Sequence, residues 1–289
     1  MDFSSDIYFK ITNPDQYPGG YFFHAANSRS GHNFIKKNIQ SWTDDIDEKN
    51  RKFINLENKD VSKILQILLN DKTIPTFPNS IYVLSVRDLL NWFTSYFYFQ
   101  AKHFNSANNV GEDYKNKIII WESELEKNPH LECNPNIIII PDNQDKTHFK
   151  EKRTDLTTSI YDMFPKILDK WLILAKEFIG ETNFLPQFVK VYYNEFFLSE
   201  EYRKSICDKV GGSYNDTVLN YVCKAGSYST FDKDKFQGRA QSMNVLERYK
   251  LWKPEHGEYL TMLKEHEAMN FYLNNFEIST KEKQFIDSI

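Results

Sequence analysis

Long apolar runs and excess positive charge are both scarce in this chain, and each shortage argues against a class of protein. No stretch contains the ~20 consecutive apolar residues that a membrane-spanning helix requires, and the opening residues MDFSSDIYFK lack the basic and apolar regions of a secretion signal. The formal net charge is −4, which argues against a general nucleic-acid binder. We therefore expect neither stable membrane insertion nor a nucleic-acid partner, and any anion site must be a local concentration of positive charge.

Cysteine is also sparse, which bears on the compartment. The three cysteines, Cys133, Cys207 and Cys223, are odd in number and share no CxxC spacing. Neither a disulfide framework nor a zinc site is indicated. Reduced cysteines, together with the lack of a predicted targeting segment, favour a cytoplasmic location.

Short β-rich runs alternate with longer helical patterns along the chain, which is typical of βαβ units around a parallel sheet. The predicted strands are GYFFHAA near 20–26, KFINLE at 52–57, IYVLSV at 81–86 and FVKVYY at 188–193. Apolar residues at three- and four-residue spacing predict helices over 33–40, 61–70, 89–104 and 167–179. Gly180 is expected to cap the last of these helices. The pattern predicts a three-layer α/β fold with a mostly parallel central sheet flanked by helices.

The chain is predicted to form a single domain over residues 1–289. Its 289 residues, 40% of them hydrophobic, are enough for a sizeable core. Between about 105 and 160 the periodic pattern weakens, and clusters of Asn, Asp and Pro surround a run of four isoleucines. We interpret this region as a less regular insertion or lid on the sheet.

The stretch SRSGHNF, residues 28–34, follows the first predicted strand and leads into the first predicted helix. Ligands of parallel α/β sheets bind at the carboxyl ends of strands, where helix N-termini attract phosphate and other oxyanions. Gly31 lets the backbone approach an anion closely, and Ser30 and Asn33 supply side-chain donors. Arg29 adds a permanently charged fork that suits oxyanions. The stretch therefore predicts an oxyanion site.

A simpler interpretation of the same stretch is that Ser30 and Asn33 only cap the helix, while Arg29 is a solvated surface charge. The GxxxxGK[ST] pattern of an ATP- or GTP-binding P-loop does not occur here, because neither its lysine nor its magnesium-binding hydroxyl has the required spacing. ATP and GTP are therefore the less favoured anions.

A second basic residue, Arg87, ends the third predicted strand within IYVLSVRDLLNWFTSY, residues 81–96. Parallel strands end at a common edge, so Arg87 is expected to emerge at the same edge of the sheet as Arg29. Ser95 follows Arg87 by eight residues, about two helical turns along the next helix. The alternative interpretations are a packed helix capped by Asp88, or a Walker B strand.

Taken together, these two stretches resemble the sulfotransferases that use 3′-phosphoadenosine 5′-phosphosulfate (PAPS). In that family a [K/R]-[S/T]-G loop before a helix holds the 5′-phosphosulfate. The matching residues here are Arg29, Ser30, Gly31, His32, Asn33 and Phe34. A second pattern, Arg-Asp with a serine eight positions after the arginine, holds the 3′-phosphate and matches Arg87 and Ser95. The resemblance implies the P-loop-like sulfotransferase fold.

Two further stretches are similar to the same family. VYYNEFF, residues 191–197, resembles the family strand V-x-Y-E-D followed by an apolar residue, and implies that Tyr193 contacts the nucleotide. Residues 226–252 resemble the C-terminal loop that covers the phosphates. That likeness offers Gly238, Arg239 and Arg248 as candidate ligand-binding residues.

The resemblance implies transfer of a sulfuryl group from PAPS to a hydroxyl or amine acceptor, with no metal required. Arg29 would stabilise the bridging oxygen as 3′-phosphoadenosine 5′-phosphate (PAP) departs. Glu57 ends KFINLE beside the first loop, where glycan-modifying members place a glutamate, and it is the preferred general base. His24, His32 and His103 are competing bases. The simpler interpretations are packed histidines and a Glu57 that caps the next helix.

The acceptor is expected to be a glycan or another hydroxyl-bearing small molecule, because the patterns resemble the carbohydrate-modifying branch of the family. Two other functions stay open. One is a nucleotide or small-molecule kinase with a degenerate P-loop, in which Asp88 would hold Mg²⁺. The other is a nucleotide- or glycan-binding module without turnover. The sequence does not predict an oligomeric state.

Overall fold

A computed structural model describes residues 19–27, 31–44, 51–56, 79–108, 164–185, 187–222, 235–253 and 256–289, with the backbone only over 100–108. The predicted helix at 61–70 and most of the predicted insertion at 105–160 lie outside the described residues. So do three predicted site residues, Arg29, Ser30 and Glu57, and the side chain of His103.

Four parallel strands form one sheet in the order β2-β1-β3-β4. They are β1 (Tyr21–Ala26), β2 (Lys52–Asn55), β3 (Ile81–Val86) and β4 (Val189–Tyr192). The register pairs Phe22 with Phe53 on one side and with Ile81 on the other. These strands confirm the predicted parallel α/β sheet. One boundary differs, because Tyr193, predicted as the last residue of the fourth strand, begins a helix instead.

Helices follow the strands and also form most of the described C-terminal part of the chain. They are α1 (His32–Trp42), α2 (Leu89–Asn108), α3 (164–179), α4 (Tyr193–Leu198), α5 (Glu200–Lys209), α6 (Gly257–Glu265), α7 (Glu267–Asn275) and α8 (Thr280–Asp287). Two short 3₁₀ helices, Ala240–Ser242 and Arg248–Leu251, lie between α5 and α6. Three of the four predicted helices are thereby confirmed, each somewhat longer than the sequence pattern indicated.

Gly180 ends α3 as its sequence position predicted. Its φ is +89°, a left-handed conformation that costs glycine little. Its N–H donates to the Glu177 carbonyl at 3.2 Å, and the Glu181 N–H donates to the Lys176 carbonyl at 2.9 Å. These two bonds form a Schellman motif, which satisfies the last carbonyls of the helix and turns the chain toward β4.

Side chains that alternate along the strands fill one core on each face of the sheet. Phe23 of β1 and Leu84 of β3 face the core that contains α2, α3 and the C-terminal helices. Phe22 and Val83 face the core that contains α1, α4 and α5. The two cores make the sheet the middle of three layers, as predicted.

The aromatic window LLNWFTSYFYF forms the first half of α2, and its residues up to Phe97 are buried. This confirms the predicted buried helix. Within the described part of the chain, no helix combines the length and the hydrophobicity needed to cross a membrane.

The strand order reverses at the carboxyl ends of β1 and β3. The connection after β1 leads to β2 on one side, and the next strand in sequence, β3, pairs on the other side of β1. Ligands of open parallel sheets bind where the strand order reverses in this way. The corner before α1 and the Arg87 end of β3 both lie at this point, so the fold brings the two sequence motifs together.

Candidate functional site

Gly31 forms the corner between β1 and α1. Its φ is +84°, and a Cβ atom at this position would lie 2.0 Å from Cε2 of Tyr193. Its carbonyl accepts from the N–H groups of Phe34 at 2.9 Å and Ile35 at 3.2 Å, which starts the helix. Both the backbone conformation and the contact with the tyrosine ring require glycine here.

The N-terminus of α1 keeps its positive end uncompensated within the described residues. No described side chain caps the helix at Gly31, and the first turn, His32 to Ile35, contains no acidic residue. The proposal that Asn33 caps this helix is therefore not supported by the described contacts. Phe34 packs edge-on against Phe196, with ring centroids 5.9 Å apart, and its N–H already donates to the Gly31 carbonyl, so an anion here would bind the N–H groups that precede it in the first turn. Such a helix end attracts an oxyanion.

Asn27, which follows β1 directly, carries a polar group that sequence patterns did not single out. Its side chain is 1% exposed, yet neither its amide nitrogen nor its amide oxygen has a hydrogen-bond partner among the described residues. Buried amides are normally paired. An amide at the carboxyl end of a central strand, one loop before a helix N-terminus, is a candidate ligand group. The only available sequence signal was a polar residue directly after a buried strand.

Arg87 is buried at the end of β3, with 2% of its side chain exposed. Its Nη1 donates to Ser95 Oγ at 3.4 Å, and its Nη2 donates to the Val245 carbonyl. The Arg87 carbonyl accepts from Trp171 Nε1 at 3.0 Å, which anchors the backbone. The two residues that the resemblance assigned to the 3′-phosphate therefore lie in contact with each other.

A second arginine, Arg248, converges on the same serine. Its Nη1 lies 3.2 Å from Ser95 Oγ, and it is buried like Arg87. The Ser95 hydroxyl donates to the Asn91 carbonyl at 2.7 Å, so the lone pairs of its oxygen can accept hydrogen bonds from both guanidinium groups. Two buried cations beside one oxygen repel each other, and a bound anion would relieve that repulsion. We call Arg87, Ser95 and Arg248 the arginine cluster.

Tyr193 joins the arginine cluster to the corner at Gly31. The Arg87 guanidinium carbon lies 5.0 Å from the centre of its ring, and the ring edge packs directly on Gly31. Burial raises the pKa of the Tyr193 hydroxyl, against the opposing effect of Arg87 and Arg248. The phenol is therefore neutral at physiological pH, and the two sequence motifs lie on either side of one buried ring.

Residues 245–252 lie along α2 and hold Arg248 in place. Asn91 Nδ2 donates to the Leu246 carbonyl at 2.9 Å, and Asn91 Oδ1 accepts from the Tyr249 N–H at 3.3 Å. Trp252 Nε1 donates to Thr94 Oγ1 at 2.7 Å. These bonds from successive turns of α2 fix the position of the 3₁₀ helix that begins at Arg248.

The other C-terminal candidates occupy a different environment. Gly238 lies in an exposed turn with φ +77°. Arg239 is also exposed; its guanidinium lies 5.6 Å from the Phe236 ring centre and donates to the Lys235 carbonyl at 3.3 Å. Of the three C-terminal candidates from the sequence, Arg248 is the one that reaches Ser95.

His24, a competing base, is packed in the core. Its Nε2 lies 2.8 Å from Ser85 Oγ, and its ring lies 6.0 Å from that of His32. Burial holds the pKa of His24 well below its usual value, and His32 and Lys36 act in the same direction. His24 is therefore neutral and screened from solvent, as the simpler interpretation of a packed histidine predicted.

Asp88 caps α2. Its Oδ1 accepts from the Asn91 N–H at 2.7 Å and from Asn91 Nδ2 at 2.9 Å, while its Oδ2 lies 3.8 Å from Arg87 Nε. The predicted capping role is confirmed. A guanidinium this close also repels a divalent cation, which weakens the alternative in which Asp88 holds Mg²⁺.

Comparison of the chain with protein-family models, with curated proteins and with solved structures finds no match. The function must therefore be argued from the geometry of the site.

Proposed function

We propose that this protein transfers a sulfuryl group from PAPS to a hydroxyl or amine acceptor, releasing PAP and a sulfated product. The observation that carries this proposal is the convergence of Arg87 and Arg248 on Ser95 Oγ, at 3.4 and 3.2 Å. The same cluster shares the Tyr193 ring with the corner at Gly31. Two places suited to oxyanions thus lie on either side of one side chain.

This arrangement favours a ligand with two separated anionic groups over an ordinary nucleotide. The arginine cluster would bind the 3′-phosphate, since guanidinium groups form strong charge-assisted bonds with phosphate oxygens. The 5′-phosphosulfate would lie at the N-terminus of α1, where the backbone N–H groups of the first turn and the buried amide of Asn27 offer donors. AMP and ATP lack a 3′-phosphate and would leave the arginine cluster without its anion.

Positive charge beside the departing phosphate would assist the transfer, because negative charge grows on the bridging oxygen in the transition state. Arg29 is the proposed source of that charge. Glu57 is the proposed general base that accepts the proton of the acceptor hydroxyl. With His24 neutral and packed in the core, Glu57, His32 and His103 are the remaining proposed bases. The proposed acceptor is a glycan or a small alcohol.

Binding calorimetry with PAP, AMP and adenosine 5′-phosphosulfate tests the nucleotide assignment. We expect the wild-type protein to prefer PAP, and Arg87→Ala to lose that preference, because removing a charge-assisted partner costs about 1.5–3 kcal/mol, or about 10- to 150-fold in affinity. Arg239→Ala is the matched control, since it removes an exposed arginine from the C-terminal segment. Equal affinity of the wild type for all three ligands would remove the PAPS assignment.

Turnover separates the enzyme from a binding module. We expect labelled sulfate to pass from PAPS to a glycan acceptor in the wild type and not in Arg29→Ala. A module without turnover would bind PAP normally and transfer no label. A kinase would instead transfer the γ-phosphate of ATP and bind AMP as well as it binds PAP.

A further inference from the structure

Asp88 is a buried carboxylate that the proposed transfer reaction leaves without a role beyond capping α2. It is 0% exposed. Its Oδ1 serves the helix cap, whereas its Oδ2 accepts no hydrogen bond from the part of the chain that the structure describes and lies 3.8 Å from Arg87 Nε. One oxygen of this carboxylate therefore faces Arg87, the arginine that would bind the 3′-phosphate in the proposed function.

The groups around Asp88 carry charges of both signs. Burial opposes ionisation and raises the pKa of the Asp88 carboxyl, and Glu282 of α8 acts in the same direction, whereas Arg87 and the hydrogen bonds from Asn91 favour the ionised form. Phenols from four elements also sense its charge, namely Tyr192, Tyr193, Tyr249 and Tyr272. Arg248 donates to Ser95 Oγ at 3.2 Å, beside Arg87. Arg87 is thus the one described cation in direct contact with Asp88.

We propose that Asp88 is a positioning residue that competes with the bound 3′-phosphate for Arg87 and takes up a proton when that phosphate binds. This inference rests on the proposed function, because it assumes that the arginine cluster is an anion site. Without a ligand, Asp88 compensates the charge of Arg87 and orients its guanidinium toward Ser95. A bound phosphate dianion supplies that compensation itself and places a second negative charge near a carboxylate that is buried and has an unpaired oxygen.

The proton balance of this step is simple. One proton from solvent joins Asp88 Oδ2 as the dianion enters, so the buried site gains one unit of negative charge instead of two. No bond within the nucleotide changes. The consequence is that PAP should bind more tightly as the pH falls, over and above the effect of protonating its own phosphates.

The Asp88→Asn variant tests the proposal through the direction in which it changes the affinity for PAP. Asparagine is an equally good helix N-cap and keeps an oxygen for the two Asn91 donors, but it removes the charge. We expect Asp88→Asn to bind PAP about tenfold more tightly than the wild type at pH 8, since one like charge is removed from a buried anion site. A residue that only caps α2 would leave the affinity unchanged or lower it. Asp88→Ser, a second capping residue without charge, should behave as Asp88→Asn does.

Calorimetry in two buffers of different ionisation enthalpy measures the proton directly. At pH 6.5 we expect the wild type to take up more protons than Asp88→Asn on binding PAP, by up to one proton per site. The comparison cancels the titration of the phosphates of PAP, because the ligand is the same. Thermal unfolding of each variant checks that it is folded.

The outcomes distinguish this inference from the proposed function. In one outcome the wild type binds PAP with Arg87-dependent affinity, but it takes up as many protons as Asp88→Asn and neither variant binds PAP more tightly. The proposed competition by Asp88 is then wrong, while the arginine cluster remains the proposed anion site. If the wild type does not bind PAP, both proposals are overturned. The inference is supported if both variants bind PAP more tightly than the wild type and Asp88→Asn takes up fewer protons on binding.

Discussion

At the scale of single residues, the site combines contacts that sequence spacing can predict with others that it cannot. Arg87 and Ser95 were singled out together by their eight-residue interval, and because both lie along one strand-helix connection this interval also brings them into contact. Arg248 reaches the same serine from 153 residues away, and only the path of residues 245–252 along α2 decides that it does so instead of Arg239. The unpartnered amide of Asn27 also has no local signature.

Gly31 provides a prediction at this scale. We expect Gly31→Ala to destabilise the protein by about 2–4 kcal/mol, because its φ of +84° strains any L-residue and its Cβ would overlap the Tyr193 ring. Urea unfolding followed by far-UV circular dichroism measures the change in free energy of unfolding.

Gly238→Ala is the matched control for that substitution. Gly238 has a similar φ of +77°, but a Cβ there meets no described atom within 4 Å, so the cost should be only the backbone strain of about 1–2 kcal/mol. If the two variants lose equal stability, the close contact between Gly31 and Tyr193 is not present in solution.

At the scale of elements, the sequence predicted much of the fold because its signals are local. All four strands appear where β-rich runs predicted them, and Gly180 ends α3 as its position indicated. The boundaries failed where tertiary packing decides. Tyr193 reads as the end of an extended run, yet it starts α4, where its ring packs on Gly31 and beside Arg87.

The buried pair of His24 and Ser85, between β1 and β3, makes stability depend on pH. In the folded protein the pKa of His24 is lowered by burial, His32 and Lys36, whereas in the unfolded chain it is about 6.5. Below pH 6.5 the unfolded chain therefore binds a proton that the folded protein excludes. We expect the free energy of unfolding to fall as the pH drops below about 6.5, by up to ~1.4 kcal/mol per pH unit from this residue.

The His24→Gln variant isolates this effect, because glutamine can still bond to Ser85 but does not titrate. Urea unfolding of both proteins between pH 5 and pH 8 should show that the free energy of unfolding falls more steeply with decreasing pH in the wild type. Parallel pH profiles would mean that His24 is already protonated in the folded state, contrary to its buried environment.

At the scale of the whole molecule, the candidate site is assembled from three distant parts of the chain. The corner at Gly31, the end of β3 at Arg87 and residues 245–252 meet because β1 and β3 are neighbours in the sheet and α2 carries the C-terminal segment. The resemblance in sequence named all three parts in their order, the third as residues 226–252 with three candidate residues. Which of those candidates reaches Ser95 depends on hydrogen bonds between α2 and residues 246–252 that leave no periodic trace in the sequence.

A ligand that bridges these parts should protect them together against hydrogen exchange. With each ligand at a concentration about 100 times its dissociation constant, we expect PAP to slow amide exchange both at 32–34 and at 246–249. AMP, which has only the 5′-phosphate, should slow exchange at 32–34 and leave 246–249 unchanged, since nothing on it reaches Arg248. Amides of α6 serve as the internal control, because α6 contains none of the proposed ligand groups and local protection should be confined to the segments that contact the ligand. If PAP protects one of the two segments only, or if AMP protects both equally, then the Gly31 corner and the arginine cluster do not bind the two phosphates of one nucleotide.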